Sequence, residues 1–207
     1  MYPKSLQKLI DIFTKFPGIG PRQAGRFAFF ILKNNEGMAE DLISALKDVK
    51  EKISFCGQCF RSQENVNSNL CAFCADSRRD NTIIAVVEKE ADLHNLEKTS
   101  LYKGLYHVLG GVISSLDNDS PKKLHLKEMH GRVAGMLQKN AKCEVILATG
   151  STAEGNMTAL YIERVLEPLK KQHTGLLISR LGRGLSLGAE LEYADEVTLK
   201  SALTNRK

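Results

Sequence analysis

The chain has 207 residues, 43% hydrophobic, 26% charged and 6% aromatic with no tryptophan, and 29 Lys and Arg against 24 Asp and Glu give a formal charge of +5. This is the composition of a soluble globular protein with one ordinary core or two small ones, and no run approaches the roughly 18 apolar residues of a membrane span. The start Met1-Tyr2-Pro3-Lys4 lacks the charged and apolar regions of a secretion leader, so the expected location is cytoplasmic and the five cysteines are expected to be free thiols, not a disulfide framework. The mild positive charge permits contact with nucleic acid without establishing it, and the few aromatic rings make a base-stacking surface improbable.

Leu6, Leu9, Ile10 and Phe13 recur at helical spacing and predict an amphipathic helix over 3–15. Phe16-Pro17-Gly18-Ile19-Gly20-Pro21 breaks it. Pro21 suits the first turn of a second helix whose buried stripe is Ala24, Phe27, Ala28 and Ile31. A third helix over 38–53 is supported by Leu42, Ala45, Leu46 and Val49, with Glu40 and Asp41 near its start and Lys50 and Lys52 near its end, and closes a small helical region. Residues 55–79 are polar and rich in Asn and Ser; such a stretch cannot order itself by core burial and depends on its cysteines.

From Thr82 the texture changes. Ile83-Ile84-Ala85-Val86-Val87 reads as a strand covered on both faces, followed by a helix over 91–96 and an extended, glycine-broken segment over 106–113. Asp117-Asn118-Asp119-Ser120-Pro121 reads as a surface loop. A helix over 126–138, a strand over 143–148, a helix over 154–167 and a strand over 176–178 follow. Alternating strands and helices predict a mainly parallel sheet. The remainder, 180–207, contains Gly182, Gly184 and Gly188 and a helix or strand over 195–203.

Cys56-x2-Cys59 and Cys71-x2-Cys74, separated by 11 residues, offer four thiolates in two pairs, the donor set of a tetrahedral zinc site. Redox dithiols and unligated cysteines are the weaker readings. Four protein ligands leave no position for water, so one structural Zn2+ per chain is expected, supporting folding and not catalysis. Cys143, in a predicted strand, is a small buried apolar residue. The segment from Phe16 through Arg22 to Arg26 has the look of a helix-hairpin-helix: Gly18 and Gly20 let the backbone approach a phosphodiester, and Arg22 and Arg26 share one helix face that Lys33 extends. Such contacts touch phosphates and ignore base identity. An ordinary helical hairpin with solvated arginines is the competing reading.

Glu88 ends a predicted strand, where acidic ligands are found but where a solvated carboxylate is just as common. The loop Leu147 to Ala159 sits at a strand-to-helix junction, the usual ligand position of α/β proteins. Gly150-x4-Gly155 imitates a phosphate-cradling P-loop, but Asn156 and Met157 stand where Lys and Ser or Thr are needed. A two-metal site needs clustered carboxylates, and the loop offers Glu154 alone. A helix start with Glu154 complementing the dipole is the plain alternative. The five histidines share no metal-ligand spacing. Arg180 and Arg183, among glycines, could contact phosphate or another subunit.

Together Phe16-Pro-Gly-Ile-Gly-Pro-Arg22, the Cys56 to Cys74 cluster with Asp76-Ser-Arg-Arg-Asp80, Tyr102-Lys-Gly-Leu-Tyr-His-Val-Leu-Gly-Gly111, Ala148-Thr149 with Glu154-Gly155, and Leu191-Glu-Tyr-Ala-Asp-Glu-Val-Thr-Leu199 resemble the bacterial RecR family of recombination mediators over essentially the full chain. The resemblance implies an α/β protein of several parts: a helix-hairpin-helix over 1–54, a four-cysteine zinc finger over 55–80, a Toprim domain over 81–178 with a mainly parallel sheet flanked by helices, and a Walker-B-like segment over 179–207. It also implies a DNA-binding clamp, a homo-oligomer and in particular a ring-like tetramer, working with RecO and RecF to load RecA on gapped or single-stranded DNA covered by single-strand-binding protein. Gly18, Gly20, Arg22 and Arg26 would then contact DNA, Cys56, Cys59, Cys71 and Cys74 would hold zinc, and Glu88 and Glu154 would be Toprim acids near the RecO-facing surface. Catalytic Toprim proteins such as type IA topoisomerases carry an Asp-x-Asp-x-Glu-Gly pattern. Here those positions are Gly150-Ser151-Thr152-Ala153-Glu154-Gly155, so both aspartates are gone, and no Walker A accompanies the Walker-B-like segment. A non-enzymatic mediator is therefore expected, against a metal-dependent nuclease or topoisomerase using Glu88 and Glu154, or a zinc-stabilised interaction module without DNA contact.

Overall fold

The structure, a computed structural model, describes residues 2–34, 36–64, 68–182, 184–185 and 188–206. It divides into two compact units, Met1–Ile53 and Ser54–Lys207.

The first unit contains α1 (Lys4–Phe13), α2 (Pro21–Lys33) and α3 (Glu36–Lys52). Ile10, Ala24 and Ala28 are buried between α1 and α2, with Leu6, Leu9, Phe13 and Ile19 around them. Alanines at the crossing let the two helices approach closely. Phe27, expected inside, is instead half exposed at the rim, with its ring edge-on to Phe13 at 5.8 Å. A small two-helix core has no volume for a second large ring. The helix over 38–53 forms, but its stripe does not close a core: Leu42, Ile43, Leu46 and Val49 are all exposed, Leu46 and Val49 at 58%.

From the boundary onward the chain forms β1 (Ile53–Phe55) and β2 (Ser62–Glu64), which pair, and the single helical turn α4 (Ala72–Ala75). A four-stranded sheet follows, built from β3 (Asp80–Val87), β4 (Gly104–Val108), β5 (Cys143–Ala148) and β6 (Leu176–Arg180) in the order β4-β3-β5-β6. All three pairings within this sheet are parallel, with Val87 opposite both Val108 and Ala148. The connections run through α5 (Glu90–Lys98), α6 (Leu126–Lys139) and α7 (Ala153–Gln172), and α8 (Glu196–Thr204) ends the chain.

Each face of the sheet has its own cover. Ile84, Val86, Val145 and Leu147 point to the side where Met129, Val133, Met136 and Leu137 of α6 and Ala159, Ile162, Leu166 and Leu169 of α7 are buried. Ala85, Val87, Tyr106, Val108 and Ala148 meet Leu93 of α5 on the opposite side, and there Phe60 and Phe73 of the cysteine region complete the layer. Alternation along one strand thus serves two cores, which is why the run over 83–87 is apolar without a break.

The predicted elements differ from the structure mainly at their ends. α7 runs past the expected stop at 167, straight through Pro168, because continuing the helix buries Leu169. That burial offsets the hydrogen bond the proline lacks. The ambiguous stretch 195–203 is helical and starts on an Asp195 cap that accepts from the Thr198 amide at 2.9 Å. The loop over 117–121 lies at the surface except for Ser120, which is buried and whose hydroxyl accepts from the Ser114 amide at 3.0 Å. Among the described residues no helix is long and apolar enough to cross a membrane.

Candidate functional site

Three places gather the candidate functional side chains, and the cysteine region is the most constrained. The sulfurs of Cys56, Cys59, Cys71 and Cys74 all lie within 4.8 Å of one another. Cys59 and Cys71 are 3.5 Å apart, near the roughly 3.8 Å edge of a tetrahedron with metal–sulfur bonds of about 2.3 Å. The Cys71 amide donates to the Cys56 sulfur at 3.3 Å, a contact that favours thiolate over thiol. Without a metal the thiols share protons: the hydrogen bond from Cys59 holds Cys71 well below the ordinary thiol range, while donating that proton pushes Cys59 up. A dication accepts all four sulfurs at once and resolves that competition. The donor set, burial and spacing fit a closed tetrahedral metal site.

The loops that present these thiols are anchored to the sheet. The Val108 amide on the outer edge of β4 donates to the Cys59 carbonyl at 2.9 Å. The guanidinium groups of Arg61 and Arg79 each lie over the Phe73 ring, 4.4 Å from its centre, and these arginines pair with Glu90 and Glu97 of α5. Phe60 stacks on His125 with ring centres 3.8 Å apart and meets His107 edge-on. His107 and His125 thus serve packing. Nothing local in the sequence marks which surface Phe60, Phe73, Arg61 and Arg132 meet, and Arg79 stands out there only as part of the Asp76 to Asp80 motif. The one usable signal was Arg132 beside the apolar positions Met129, Val133 and Met136 of a predicted helix.

The second place is the carboxyl end of the sheet. Glu88 follows β3, and its Oε1 accepts from the Gly150 amide at 2.6 Å. A Cβ on Gly155 would lie 2.3 Å from the Gly150 carbonyl oxygen and 2.8 Å from Glu88 Oε1, so the β5–α7 turn closes only around a glycine. Thr152 caps α7 by accepting from the Gly155 amide at 3.0 Å. Thr158, buried, donates to the Glu154 carbonyl and accepts from the Ile113 amide. Glu154 is exposed in the first turn of α7, near the positive end of the helix dipole. The fold therefore brings Glu88 and Glu154 to the same end of the sheet but gives Glu88 a backbone partner. Arg180 is engaged by Glu163 at 3.0 Å; Arg183 lies outside the described residues.

The third place is the turn between α1 and α2. Gly18 has φ +78°, a conformation that disfavours any side chain with a Cβ, and the Ile19 amide closes the turn on the Phe16 carbonyl at 3.1 Å. At Gly20, by contrast, a Cβ would meet nothing within 4 Å, so the fold itself does not ask for glycine there. Arg22, Arg26 and Lys33 are exposed along one side of α2, beside an open groove also lined by Tyr2 and Phe30.

Two glycine-joined helices with a cationic stripe, four clustered thiols and a parallel sheet with one acid after its first strand define a Toprim-containing protein with a helix-hairpin-helix and a four-cysteine cluster. The comparisons agree part by part: residues 82–182 match the Toprim domain, 6–50 match the RecR helix-hairpin-helix and 184–207 match the RecR C-terminal family. The chain is 46% identical over 207 residues to the recombination protein RecR of Cutibacterium acnes, covering 100% of this chain and 96% of that one. It is 42% identical over 205 residues to the recombination protein RecR of Staphylococcus aureus strain Mu3, covering 99% and 98%. The chain belongs to the RecR family.

Proposed function

We propose that this protein is a DNA-binding mediator of recombinational repair that acts without catalysing a reaction. In this reading it works in the cytoplasm with RecO, and with RecF where that partner is present, to help load RecA on gapped or single-stranded DNA coated by single-strand-binding protein. Membership of the RecR family supports the role, and the observation that carries the non-catalytic part is the Glu88–Gly150 hydrogen bond. A carboxylate accepting a backbone amide at 2.6 Å, with no aspartates at positions 150 and 152, supports reading Glu88 as a fastener of the loop in place of one of a set of metal ligands.

The division of labour follows the parts: 1–54 contacts DNA through Gly18, Gly20, Arg22 and Arg26; 55–80 holds one structural Zn2+ on Cys56, Cys59, Cys71 and Cys74; 81–178 presents Glu88 and Glu154 to RecO; and 179–207 is the Walker-B-like segment. The exposed apolar residues of α3, with Leu191, Tyr193 and Val197 near the carboxyl terminus, supply faces for assembly of a homo-oligomer, in this reading a tetramer.

The deciding experiment is RecA filament formation on gapped DNA coated by single-strand-binding protein, with and without RecO. Acceleration that needs both proteins is expected, and no effect in any combination rejects the mediator reading. Incubation of supercoiled DNA with Mg2+ or Mn2+ tests the competing class. Nicking or relaxation that is lost in Glu88→Ala would establish a nuclease or topoisomerase instead.

A further inference from the structure

Arg132 belongs to α6, yet its hydrogen bonds go to the cysteine loops and to the edge of the sheet. Its Nη1 donates to the Tyr106 carbonyl at 2.6 Å and to the Gln58 carbonyl at 3.1 Å, and its Nη2 donates to the Cys74 sulfur at 3.4 Å. Gln58 lies between the first two ligands, and Cys74 is the last of the second pair. Tyr106 and Val108 are alternate residues of edge strand β4, so the Tyr106 carbonyl and the Val108 amide face outward together. Arg132 satisfies the first and Cys59 the second. Whereas Arg61, Arg78, Arg79 and Arg180 are paired with carboxylates, Arg132 spends its donors on two carbonyls and a sulfur.

We propose that Arg132 is the outer positioning residue of the four-cysteine metal site, holding Cys74 and the 56–59 loop in metal-binding geometry and fixing both to the edge of the sheet. The inference rests on the reading that the cysteines bind zinc. A dication with four thiolates carries a net charge of about −2, and a guanidinium on one sulfur offsets part of it through a charge-assisted hydrogen bond. Hydrogen-bonding partners of this kind fix ligand orientation and raise metal affinity. Cys74 is the ligand that most needs one: the other three are buried, whereas Cys74 is half-buried and opens on a cleft of about 530 Å3 that Arg132 also lines. Water or a chelator reaches this sulfur first. The planar fork of arginine holds its donors in fixed directions, whereas the three donors of a lysine ammonium rotate on a flexible stem.

The test uses the full chain with Arg132→Gln and Arg132→Lys. Two quantities are read: zinc affinity, by competition with a chromogenic chelator of known strength, and the thiolate-to-metal charge-transfer band of the Co2+-substituted protein. Arg132→Gln is expected to weaken zinc binding on the order of 10- to 100-fold and to shift the Co2+ band, with Arg132→Lys falling between it and the parent. A merely structural strut would lower the melting temperature of metal-loaded and metal-stripped protein equally, leaving affinity and band unchanged; that result overturns the proposal. If Arg132→Gln does not accumulate as folded protein, Arg132→Lys decides by the same two readouts, and parental values overturn it. A parent chain that binds no stoichiometric metal refutes the zinc reading itself, and the proposal with it, before any variant is compared.

Discussion

Glu88 and Gly155 show how one side chain's role depends on a neighbour that has no side chain at all. The carboxylate follows β3 at the carboxyl end of the sheet, where its Oε1 accepts from the Gly150 amide and touches the space a Gly155 Cβ would fill. Gly155→Ala therefore drives a methyl group into the Gly150 carbonyl and the Glu88 carboxylate and is expected to cost about 1–3 kcal/mol in urea unfolding. Gly20→Ala, in open space, is expected to stay within about 0.5 kcal/mol while weakening DNA binding; a large loss of stability there would contradict the open-space reading. His107 offers a pH test. Its Nε2 faces the His125 carbonyl at 2.9 Å and so carries the proton, its Nδ1 is buried without a partner, and burial lowers its pKa from an ordinary 6.5 to about 4. The unfolded chain takes up a second ring proton near 6.5 and the folded chain, which would have to place it on Nδ1, only near 4, so the stability contribution is complete above 6.5 and is lost as the pH falls through that window. Relative to His107→Gln, the parent should lose on the order of 3 kcal/mol between neutral pH and pH 4. Parallel pH–stability curves for the two proteins would refute a neutral, buried His107.

At the scale of elements, α2 has a buried face and a cationic one. Ala24 and Ala28 pack on α1, and Arg22 and Arg26 remain exposed. If both arginines neutralise phosphates, Arg22→Ala/Arg26→Ala should reduce the slope of log affinity against log salt by about 2, uniformly across DNA sequences. An unchanged slope would mean an ordinary helical hairpin. α3 is a helix whose apolar stripe finds no cover among the buried residues of its own unit. Substituting Leu46→Glu should lower the oligomer mass measured by light scattering while leaving helical circular dichroism intact, since the side chain is 58% exposed and contributes little to the fold of one chain.

At the scale of the molecule, the cysteine region is part of the sheet's core and not an appendage. Phe60 and Phe73 bury against Tyr106 and Val108, and the Cys59 carbonyl covers an amide that an edge strand otherwise leaves open. If the four cysteines hold zinc, stripping it with a chelator is expected to lower the melting temperature and to speed hydrogen exchange at the Val108 amide, while α1 and α2, which share a separate core, keep their protection. Unchanged exchange at Val108 would show that the cysteine loops hold their place without metal.

What the sequence determined by itself was local: the helical spacing of Leu6 to Phe13, the two-faced strand over 83–87, the paired cysteines and the glycine turn at 16–21 each encode their structure within a few residues. It also excluded P-loop chemistry, because that chemistry needs particular side chains at fixed offsets and Asn156 and Met157 are not those side chains. Tertiary structure decided what distance along the chain conceals. It placed Gly150 against Glu88, 62 residues away, and Arg132 against Cys74, 58 residues away. It also left the α3 stripe exposed and carried α7 through Pro168. Each of these is an energy of packing or hydrogen bonding between segments, and residue spacing records periodicity within a segment without recording which segments meet.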